Sequence, residues 1–243
     1  VVICKDGSRK NISWGYVAIG RRNWAFGLNL TETRRVEEKL KVNLKEKETL
    51  LHEIHHRVKN NMQVINSLLK LQSNNIEDEQ TKEILQDSQS RVYAMSALHE
   101  ALYGSENLAE IDLKKYLSTI TQALIQTYQK NPNKIQLNIE STEIKLNIKK
   151  ANPFGLIVNE LLSNCLKYAF PDDRKGKVNI IVEKIDNELG LIVMDDGVGI
   201  PSGQDWKHTK TLGLSLVRTL VENQLDGSIN MESKNGTKFT IKF

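Results

Sequence analysis

The strongest constraint on the fold is a long stretch, residues 31–72, that contains neither glycine nor proline. Apolar residues recur along it at spacings of three, four or seven, which is the period of one helix face. The series consists of Val36, Leu40, Leu44, Leu51, Ile54, Val58, Ile65, Leu68, Leu69 and Leu71. We therefore predict one helix over residues 33–71, about 60 Å long at ~1.5 Å per residue. Its apolar face is narrow, as in a coiled coil, so the helix needs a partner.

A second helix is predicted over residues 81–103, after Ser73-Asn74-Asn75 ends the first one. Its apolar side consists of Ile84, Leu85, Val92, Met95, Leu98 and Leu102. The two helices form a helical hairpin. Two such hairpins from two chains would make a four-helix bundle, so we expect a homodimer.

Residues 1–30 alternate like short strands, with Lys5-Asp6-Gly7-Ser8 as a turn. Strands are predicted over residues 1–4, 11–19 and 24–30. Three strands are too few to close a core of their own. Because the chain begins in the middle of a predicted strand, we expect it to be a piece of a longer protein.

Residues 109–243 alternate between helical and strand patterns and predict an α/β sandwich. Helices are predicted over residues 113–129, 153–169 and 211–223. Strands are predicted over residues 134–139, 145–148, 177–184, 189–194, 228–231 and 238–242. The chain as a whole is therefore placed in the α+β class, with strands, a long helix, a hairpin and an α/β domain in that order.

Composition narrows the functional classes. The formal net charge of +4, from 34 basic and 30 acidic residues, is too mild to indicate a nucleic-acid partner. The two cysteines, Cys4 and Cys165, have no metal-ligand spacing and form no disulfide framework, which favours a reducing compartment such as the cytoplasm. We expect no membrane span in this chain, because no apolar run approaches roughly 20 residues.

Three polar residues lie at helical spacing within the apolar helix over residues 153–169. Glu160, Asn164 and Lys167 are four and three residues apart and share a face. A carboxylate, a carboxamide and an ammonium suit a Mg²⁺ ion and the phosphates that it bridges. The alternative is an exposed polar stripe on the wet side of the helix.

Two glycine-containing segments follow this helix. Asp195-Asp196-Gly197-Val198-Gly199 comes at the end of a strand, where the glycines let the backbone approach a ligand and an aspartate can accept from an exocyclic amine. Gly213, in Lys210-Thr211-Leu212-Gly213-Leu214, opens a helix whose free N–H groups favour an anion. Each segment alone is also compatible with an ordinary turn.

Together, these three features resemble the ATP-binding domain shared by histidine kinases, type II topoisomerases, the ninety-kilodalton chaperones and MutL. The resemblance covers about residues 112–243. It implies that Glu160 and Asn164, with Asn159 beside them, form the asparagine box that holds Mg²⁺. It further implies that Lys167 and Tyr168 lie near the phosphates and the adenine, and that Asp195 reads the adenine from a loop formed by Gly197 and Gly199. Thr211, Leu212, Gly213 and Leu214 match the second glycine box.

The match has two departures. The second box has one glycine fewer than usual, because Thr211 stands at a glycine position. The segment between Pro201 and Thr211 lacks the phenylalanine-rich box, so the predicted lid over ATP is short. We expect Trp206 or Lys207 to take over part of the lid's role.

The long helix carries the sequence His55-His56-Arg57-Val58-Lys59-Asn60-Asn61. With Leu51-His52-Glu53-Ile54 before it and Leu68-Leu69-Lys70-Leu71-Gln72 after it, this segment resembles the HisKA_2 type of sensor histidine kinase, a relative of the HWE kinases. The resemblance implies an autophosphorylating enzyme of a two-component system that uses ATP and Mg²⁺. Its phosphoryl group would pass to an aspartate of a response regulator.

Helix geometry separates the two histidines. At about 100° per residue, the apolar arc of Leu51, Ile54 and Val58 leaves His55 roughly 70° from its centre and His56 nearly opposite. His56 is therefore the predicted phosphoacceptor, and His55 is the alternative acceptor. The remaining alternative is that His52, His55 and His56 are all ordinary surface residues. His99 and His208 have no such neighbours in the sequence and are predicted to be structural or surface residues.

Neighbours of His56 on the helix have predicted roles as well. Glu53 precedes it by three residues and is placed to hold the imidazole tautomer and accept its proton. Arg57 would steady the transferred phosphoryl charge. Asn60, one turn later, would position a water for dephosphorylation.

The segment Phe26-Gly27-Leu28-Asn29-Leu30-Thr31-Glu32 resembles the end of a PAS sensor domain that runs into a signalling helix. The predicted domains are accordingly a PAS-like remnant (1–32), a signalling coiled coil (33–50), a dimerisation and phosphotransfer hairpin (51–108) and a catalytic ATP-binding domain (109–243). A serine kinase or anti-sigma-like binding module with the same ATP fold, and an inactive scaffold, stay open as alternatives.

Overall fold

The chain divides into two units, Val1–Ile54 and His55–Phe243. The structure is a computed structural model, and it describes residues 1–20, 22–103, 110–128, 134–172, 174–185, 188–200, 206 and 212–243. The predicted α+β class is confirmed by the order of helices and strands.

The first unit contains two antiparallel strand pairs and the beginning of a helix. β1 (Val2–Ile3) pairs with β2 (Arg9–Lys10), and β3 (Ile12–Ile19) pairs with β4 (Arg22–Asn29). The large side chains of these strands are exposed, with Trp14 at 55% and Phe26 at 61%. These strands therefore build no buried core, in keeping with their small number. The two-residue strand β2 was not predicted, because two residues show no alternation.

The long helix is confirmed and is slightly longer than predicted. α1 runs over Thr31–Asn74. At its start, the Asn29 side chain accepts a hydrogen bond from the Thr31 backbone N–H at 3.1 Å, while Thr31 Oγ1 accepts from the Asn11 N–H at 2.8 Å. These bonds join the last strand to the first turn of the helix.

In the second unit, α2 (Glu79–Tyr103) and the last part of α1 form the predicted hairpin. Asp78 caps α2 by accepting from the Thr81 N–H at 2.7 Å. The two helices meet where Lys59 forms an ion pair with Glu100 at 2.7 Å.

A five-stranded sheet forms the back of the second unit, with the strand order β10-β11-β9-β8-β6. Its strands are β6 (Ile135–Ser141), β8 (Gly176–Ile185), β9 (Glu188–Asp195), β10 (Ser228–Ser233) and β11 (Thr237–Lys242). The β6–β8 pair is parallel and the other pairs are antiparallel. The short strand β5 (Glu110–Asp112), which was not predicted, pairs with β7 (Lys145–Asn147).

Three helices share one core with this sheet: α3 (Leu113–Tyr128), α4 (Ile148–Asn164) and α5 (Leu212–Asn223). Alternate residues Val178, Ile180 and Val182 of β8 are buried, as expected for a strand with one face against helices. The predicted α/β sandwich is therefore present.

The predicted start of α4 at residue 153 is wrong. The helix begins at Ile148, where the Asn147 side chain caps it by accepting from the Lys149 N–H at 2.9 Å. The sequence placed a strand over residues 145–148, whereas that strand ends at Asn147 and Pro153 lies inside the helix. The Asn147 cap decides the boundary.

Candidate functional site

A cavity of about 800 Å³ opens between α2, α4, the end of β9 and the start of α5. Its lining includes nine residues that the sequence singled out: Glu160, Asn164, Tyr168, Asp195, Gly199, Trp206, Leu212, Gly213 and Leu214. The structure thus brings the asparagine box and both glycine segments to one place. Of the remaining residues, Thr211 and Lys207 lie outside the described part of the chain.

The polar residues of α4 are buried and paired. Asn159 and Glu160 retain 2% and 4% of their exposure. Glu160 accepts two hydrogen bonds from Arg91 of α2, from Nε at 2.7 Å and from Nη2 at 2.9 Å. Asn159 Oδ1 accepts from Ser90 Oγ at 2.6 Å. A buried carboxylate without such partners would be destabilising, and α2 supplies the hydrogen-bond donors that α4 itself does not provide.

Lys167 lies on the carboxylates of α2 and is not among the residues that line the cavity. Its Nζ is 2.5 Å from Asp87 Oδ1 and 2.9 Å from Glu83 Oε1. Burial opposes its charge, but these two carboxylates outweigh burial and raise the pKa of Lys167. Its hydrogen bond lowers the pKa of Glu83 in turn. Lys167 is therefore a cation in a closed network with α2.

A change of helix type explains why Lys167 leaves the predicted stripe. After Asn164 the chain continues as a π-helical turn, Cys165–Ala169. Such a turn closes i→i+5 hydrogen bonds and shifts the phase of the side chains that follow. Glu160 and Asn164 consequently line the cavity, whereas Lys167 faces α2. Tyr168 lines the cavity edge and donates to Glu83 Oε1 at 3.1 Å.

Asp195, the last residue of β9, holds a fixed position at the floor of the cavity. Its Oδ1 accepts from the backbone N–H groups of Gly197 at 2.9 Å and Thr237 at 3.2 Å. Its Oδ2 is 3.5 Å from Cys165 Sγ, which donates to it. Burial raises the pKa of the Cys165 thiol, and the charge of Asp195 adds to this, so the donor stays protonated.

The loop after Asp195 requires its glycines. A Cβ at Gly197 would lie 2.3 Å from the carbonyl oxygen of Ala169. Gly199 has φ = +72°, a conformation that favours glycine. The loop can therefore lie against the π-helical turn and leave the Asp195 carboxylate facing the cavity.

The start of α5 meets the asparagine box directly. A Cβ at Gly213 would lie 2.7 Å from Glu160 Oε2, so a side chain there would displace the carboxylate. Trp206 forms part of the cavity wall near the start of α5. It is 9% exposed and packs edge-on against Phe239, with ring centroids 5.7 Å apart.

The two adjacent histidines have different surroundings. His56 is exposed, as its helical phase predicted. His55 is half-buried, and its Nδ1 lies 3.0 Å from Nδ1 of His99 on α2. One of the two nitrogens is protonated and donates a hydrogen bond, which the other nitrogen accepts. Burial, and then the charge of His55, lower the pKa of His99. His99 thus has a histidine neighbour that the sequence did not indicate.

The other predicted residues of this segment are exposed on α1. Arg57 and Asn60 belong to the second unit, and Glu53 belongs to the first. Each of Glu53, His56 and Arg57 has an interaction partner. Their exposure keeps the segment accessible to a second domain.

The sequence did not indicate the residues of α2 that bond to the predicted site residues, which are Glu83, Asp87, Ser90 and Arg91. Glu83, Asp87 and Arg91 recur every four residues and so share one helix face. That spacing was the available signal. It is also typical of a solvated helix face, which is why it did not stand out.

Comparison with known families agrees with this arrangement. A family profile described as "Histidine kinase" (HisKA_2) matches residues 53–128. A second, described as "Histidine kinase-, DNA gyrase B-, and HSP90-like ATPase", matches residues 149–243. The two profiles cover the hairpin with α3 and the nucleotide-site region, respectively.

Curated relatives are sensor kinases. The chain is 32% identical over 199 residues to the sensor histidine kinase PdtaS of Mycobacterium tuberculosis, covering 81% of this chain and 39% of that protein. It is 30% identical over 192 residues to the blue-light-activated histidine kinase 2 of Erythrobacter litoralis, covering 77% of this chain and 54% of the relative. The chain therefore spans about two fifths to one half of the length of these relatives.

A solved structure shares the fold. The histidine kinase domain of the Erythrobacter litoralis EL346 blue-light activated histidine kinase superposes with a TM-score of 0.60 at 26% identity, covering 82% of this chain and 94% of that one. Among the described residues, no helix combines the length and the apolar character that a membrane crossing requires.

Proposed function

Because the chain belongs to the histidine kinases, with matches in both its phosphoacceptor and its ATPase regions, we propose that it transfers the γ-phosphoryl group of ATP to its own His56. The observation that carries this proposal is the combination in one chain of an exposed histidine on a helical hairpin and a cavity that gathers the asparagine box and two glycine segments. A nucleotide-binding module alone has no use for the first of these features.

The cavity suits an adenine nucleotide. Asp195 Oδ1 accepts from two backbone N–H groups, which fixes the carboxylate. Its Oδ2 accepts from the Cys165 thiol and has a second lone pair for the exocyclic amine of adenine. Gly197, Gly199 and Gly213 keep the approach to the ligand open. Trp206 and Phe239 supply an apolar wall for the base.

Glu160 and Asn164 fit a Mg²⁺ ion by the chemistry of their oxygens, which line the same cavity. When bound, the ion would neutralise the phosphate charge and orient the triphosphate. Asn159 stands behind Glu160, and Tyr168 lines the edge of the cavity, whereas Lys167 is held by Glu83 and Asp87 of α2. Glu160 becomes available only when Arg91 releases it.

At the acceptor, a neutral imidazole nitrogen of His56 attacks the γ-phosphorus. The new P–N bond forms as the bond to the β,γ-bridging oxygen breaks, and ADP leaves with that electron pair. Glu53 takes the imidazole proton, and Arg57 steadies the phosphoryl oxygens. Asn60 positions the water that later hydrolyses the phosphohistidine. His55 is the alternative acceptor, but its ring is held against His99.

Further partners follow from this assignment. The phosphoryl group would pass to an aspartate of a response regulator. The hairpin would dimerise through apolar residues of α1, since Ile65, Leu68 and Leu71 are 42%, 55% and 62% exposed. Residues 1–32 would be the end of a PAS domain, residues 33–50 the signalling coiled coil, residues 51–108 the phosphotransfer hairpin and residues 109–243 the catalytic domain. The cytoplasm, where ATP is present and thiols stay reduced, is the proposed location.

Incubation with γ-labelled ATP and Mg²⁺ tests the proposal. Label that is lost in acid and kept in alkali, and that disappears in His56→Gln while persisting in His55→Gln, supports phosphorylation of His56. Label that survives acid would instead indicate a hydroxyl acceptor, as in a serine kinase. Label that persists in His56→Gln and vanishes in His55→Gln would transfer the role to His55.

A further inference from the structure

The face of α2 that carries Glu83, Asp87 and Arg91, here called the α2 charged face, meets the cavity with matched charges. Its two carboxylates hold Lys167, and its guanidinium holds Glu160. The hydroxyl groups of Tyr168 and Tyr128 donate to Glu83 and Asp87 at 3.1 and 3.0 Å. Three successive turns of α2 are therefore complementary to the nucleotide domain.

We propose that the α2 charged face is a docking surface for the nucleotide domain of the same chain, and that docking withholds Glu160 from Mg²⁺ and nucleotide. The proposal rests on the role assigned above to Glu160. In the docked arrangement both carboxylate oxygens of Glu160 accept from Arg91. A guanidinium keeps its charge at every physiological pH, so it repels a divalent cation from the same carboxylate.

Burial makes this contact costly to break unless a replacement partner is present. The side chains of Arg91, Glu160 and Lys167 are 17%, 5% and 10% exposed. The hydrogen bond to Glu160 raises the pKa of Arg91 although burial opposes it. A buried ion pair of this kind separates readily only when another cation takes over one partner. Mg²⁺ bound to a nucleotide is such a cation for Glu160.

The docked arrangement is also unsuited to phosphoryl transfer within this chain. His99, which contacts His55, marks the level of the phosphoacceptor segment on α2. At ~1.5 Å per residue, Arg91 lies about 12 Å from that level along α2, and Glu83 about 24 Å. Transfer needs the reacting atoms within about 3.5 Å of each other. The nucleotide domain must therefore leave the α2 charged face before its γ-phosphate can reach His56.

Docking and nucleotide binding are then coupled. If both compete for Glu160, each weakens the other by the same factor, because coupling free energies are reciprocal. A variant that weakens docking should bind Mg²⁺–nucleotide more tightly. It should also react faster, since more molecules are in the undocked state.

The test uses the whole chain and Arg91→Gln, with Glu79→Gln as the matched control. Glu79 lies on the same helix, is 85% exposed and pairs along the surface with Lys82. A fluorescent, non-hydrolysable ATP analogue is titrated at several Mg²⁺ concentrations. We expect Arg91→Gln to lower its Kd by about 5- to 20-fold and to shift half-saturation by Mg²⁺ downward, which is within the range of ordinary allosteric couplings. Glu79→Gln should match the unaltered chain.

A second variant covers the risk that Arg91→Gln does not fold with Glu160 unpaired. The double variant Glu83→Gln, Asp87→Asn weakens docking from the Lys167 side and leaves the Arg91–Glu160 pair intact. It should bind the analogue more tightly and label faster than the unaltered chain. Equal or weaker binding by every folded variant overturns the docking proposal. If the unaltered chain and all variants fail to bind the analogue, the proposed nucleotide function is wrong instead.

Discussion

Two helices of this protein, α1 and α4, place polar residues at helical spacing. The two helices differ in how far these residues are buried and in what holds them. On α1, His56 and the neighbours proposed to act with it are exposed, and the ring of His55 contacts His99. On α4, Asn159 and Glu160 are almost fully buried, and the partners that hold them come from α2. An exposed residue on α1 acts only when another domain binds to it. On α4, packing sets the positions of the polar side chains before any ligand binds. Substitutions should therefore affect the two helices differently.

The largest difference should appear in stability. Phe154 of α4 is fully buried and packs near Phe243, with ring centroids 6.1 Å apart. Phe154→Ala should lower the free energy of unfolding by about 3–5 kcal/mol, because it leaves a cavity in the core. Leu50→Ala on α1, where the side chain is 59% exposed and off the predicted seam, should change it by less than about 0.5 kcal/mol.

Urea denaturation followed by circular dichroism gives both values. A similar loss in the two variants would mean that α1 is buried in solution at this position, and the contrast between the helices would fail. A small loss in Phe154→Ala would mean that the core around α4 relaxes far more than its packing indicates.

Next in size is the effect of removing a cavity oxygen from α4. Asn164→Ala should lower the autophosphorylation rate by at least about 100-fold, as is typical when a preorganised polar group at a transferring charge is lost. Asn164 is only half-buried, so the fold should persist. Asn152→Ala is the matched control, because Asn152 is a half-buried asparagine of the same helix and is not part of the cavity lining. Unchanged labelling in Asn164→Ala would remove Asn164 from the Mg²⁺ site.

The sequence was sufficient where a pattern is long and local. The heptad spacing without glycine or proline gave α1 to within three residues at each end. The helical phase placed His56 outward and His55 nearer the hairpin. The Asp-x-Gly-x-Gly segment was assigned to the end of a strand, and Asp195 is the last residue of β9.

The sequence was insufficient where the partners are distant in the chain or the signal is short. Arg91 and Glu160 are 69 residues apart, so nothing local pairs them. A π-helical turn moves Lys167 out of the predicted stripe. This was not predicted because such a turn has no simple sequence signature. Strand β5 has three residues, too few for an alternation to be visible. The start of α4 was misplaced because the Asn147 cap is a single residue inside a segment, 145–148, that was predicted as a strand.

A smaller effect is expected at Cys165, which follows the asparagine box. Its thiol donates to Asp195 Oδ2 at 3.5 Å and helps to fix the carboxylate that would read adenine. Cys165→Ala should raise the Kd for ATP by about two- to fivefold, the low end of the range for one hydrogen bond, since sulfur is a weak donor. Cys165→Ser keeps a donor and should stay closer to the unaltered chain.

Measuring the Kd for ATP and GTP in parallel separates positioning from general damage. Loss of orientation at Asp195 should reduce the preference for ATP, whereas loosened packing should weaken both nucleotides equally. An unchanged ratio in Cys165→Ala would show that the two backbone N–H groups fix Asp195 without the thiol.

The smallest effect should be a pH dependence of stability that distinguishes the half-buried His99 from the exposed His56. Burial, then the charge of His55, lower the pKa of His99 in the folded state. The unfolded chain therefore binds a proton on His99 more readily. Stability from this group is complete above the unfolded pKa of about 6.5 and is lost as the pH falls through the lower folded value. Urea titrations at pH 7.5, 6.5 and 5.5 should show a shallower pH dependence in His99→Gln than in His56→Gln, whose side chain is exposed. Equal slopes in the two variants would mean that the His55–His99 contact is not maintained in solution.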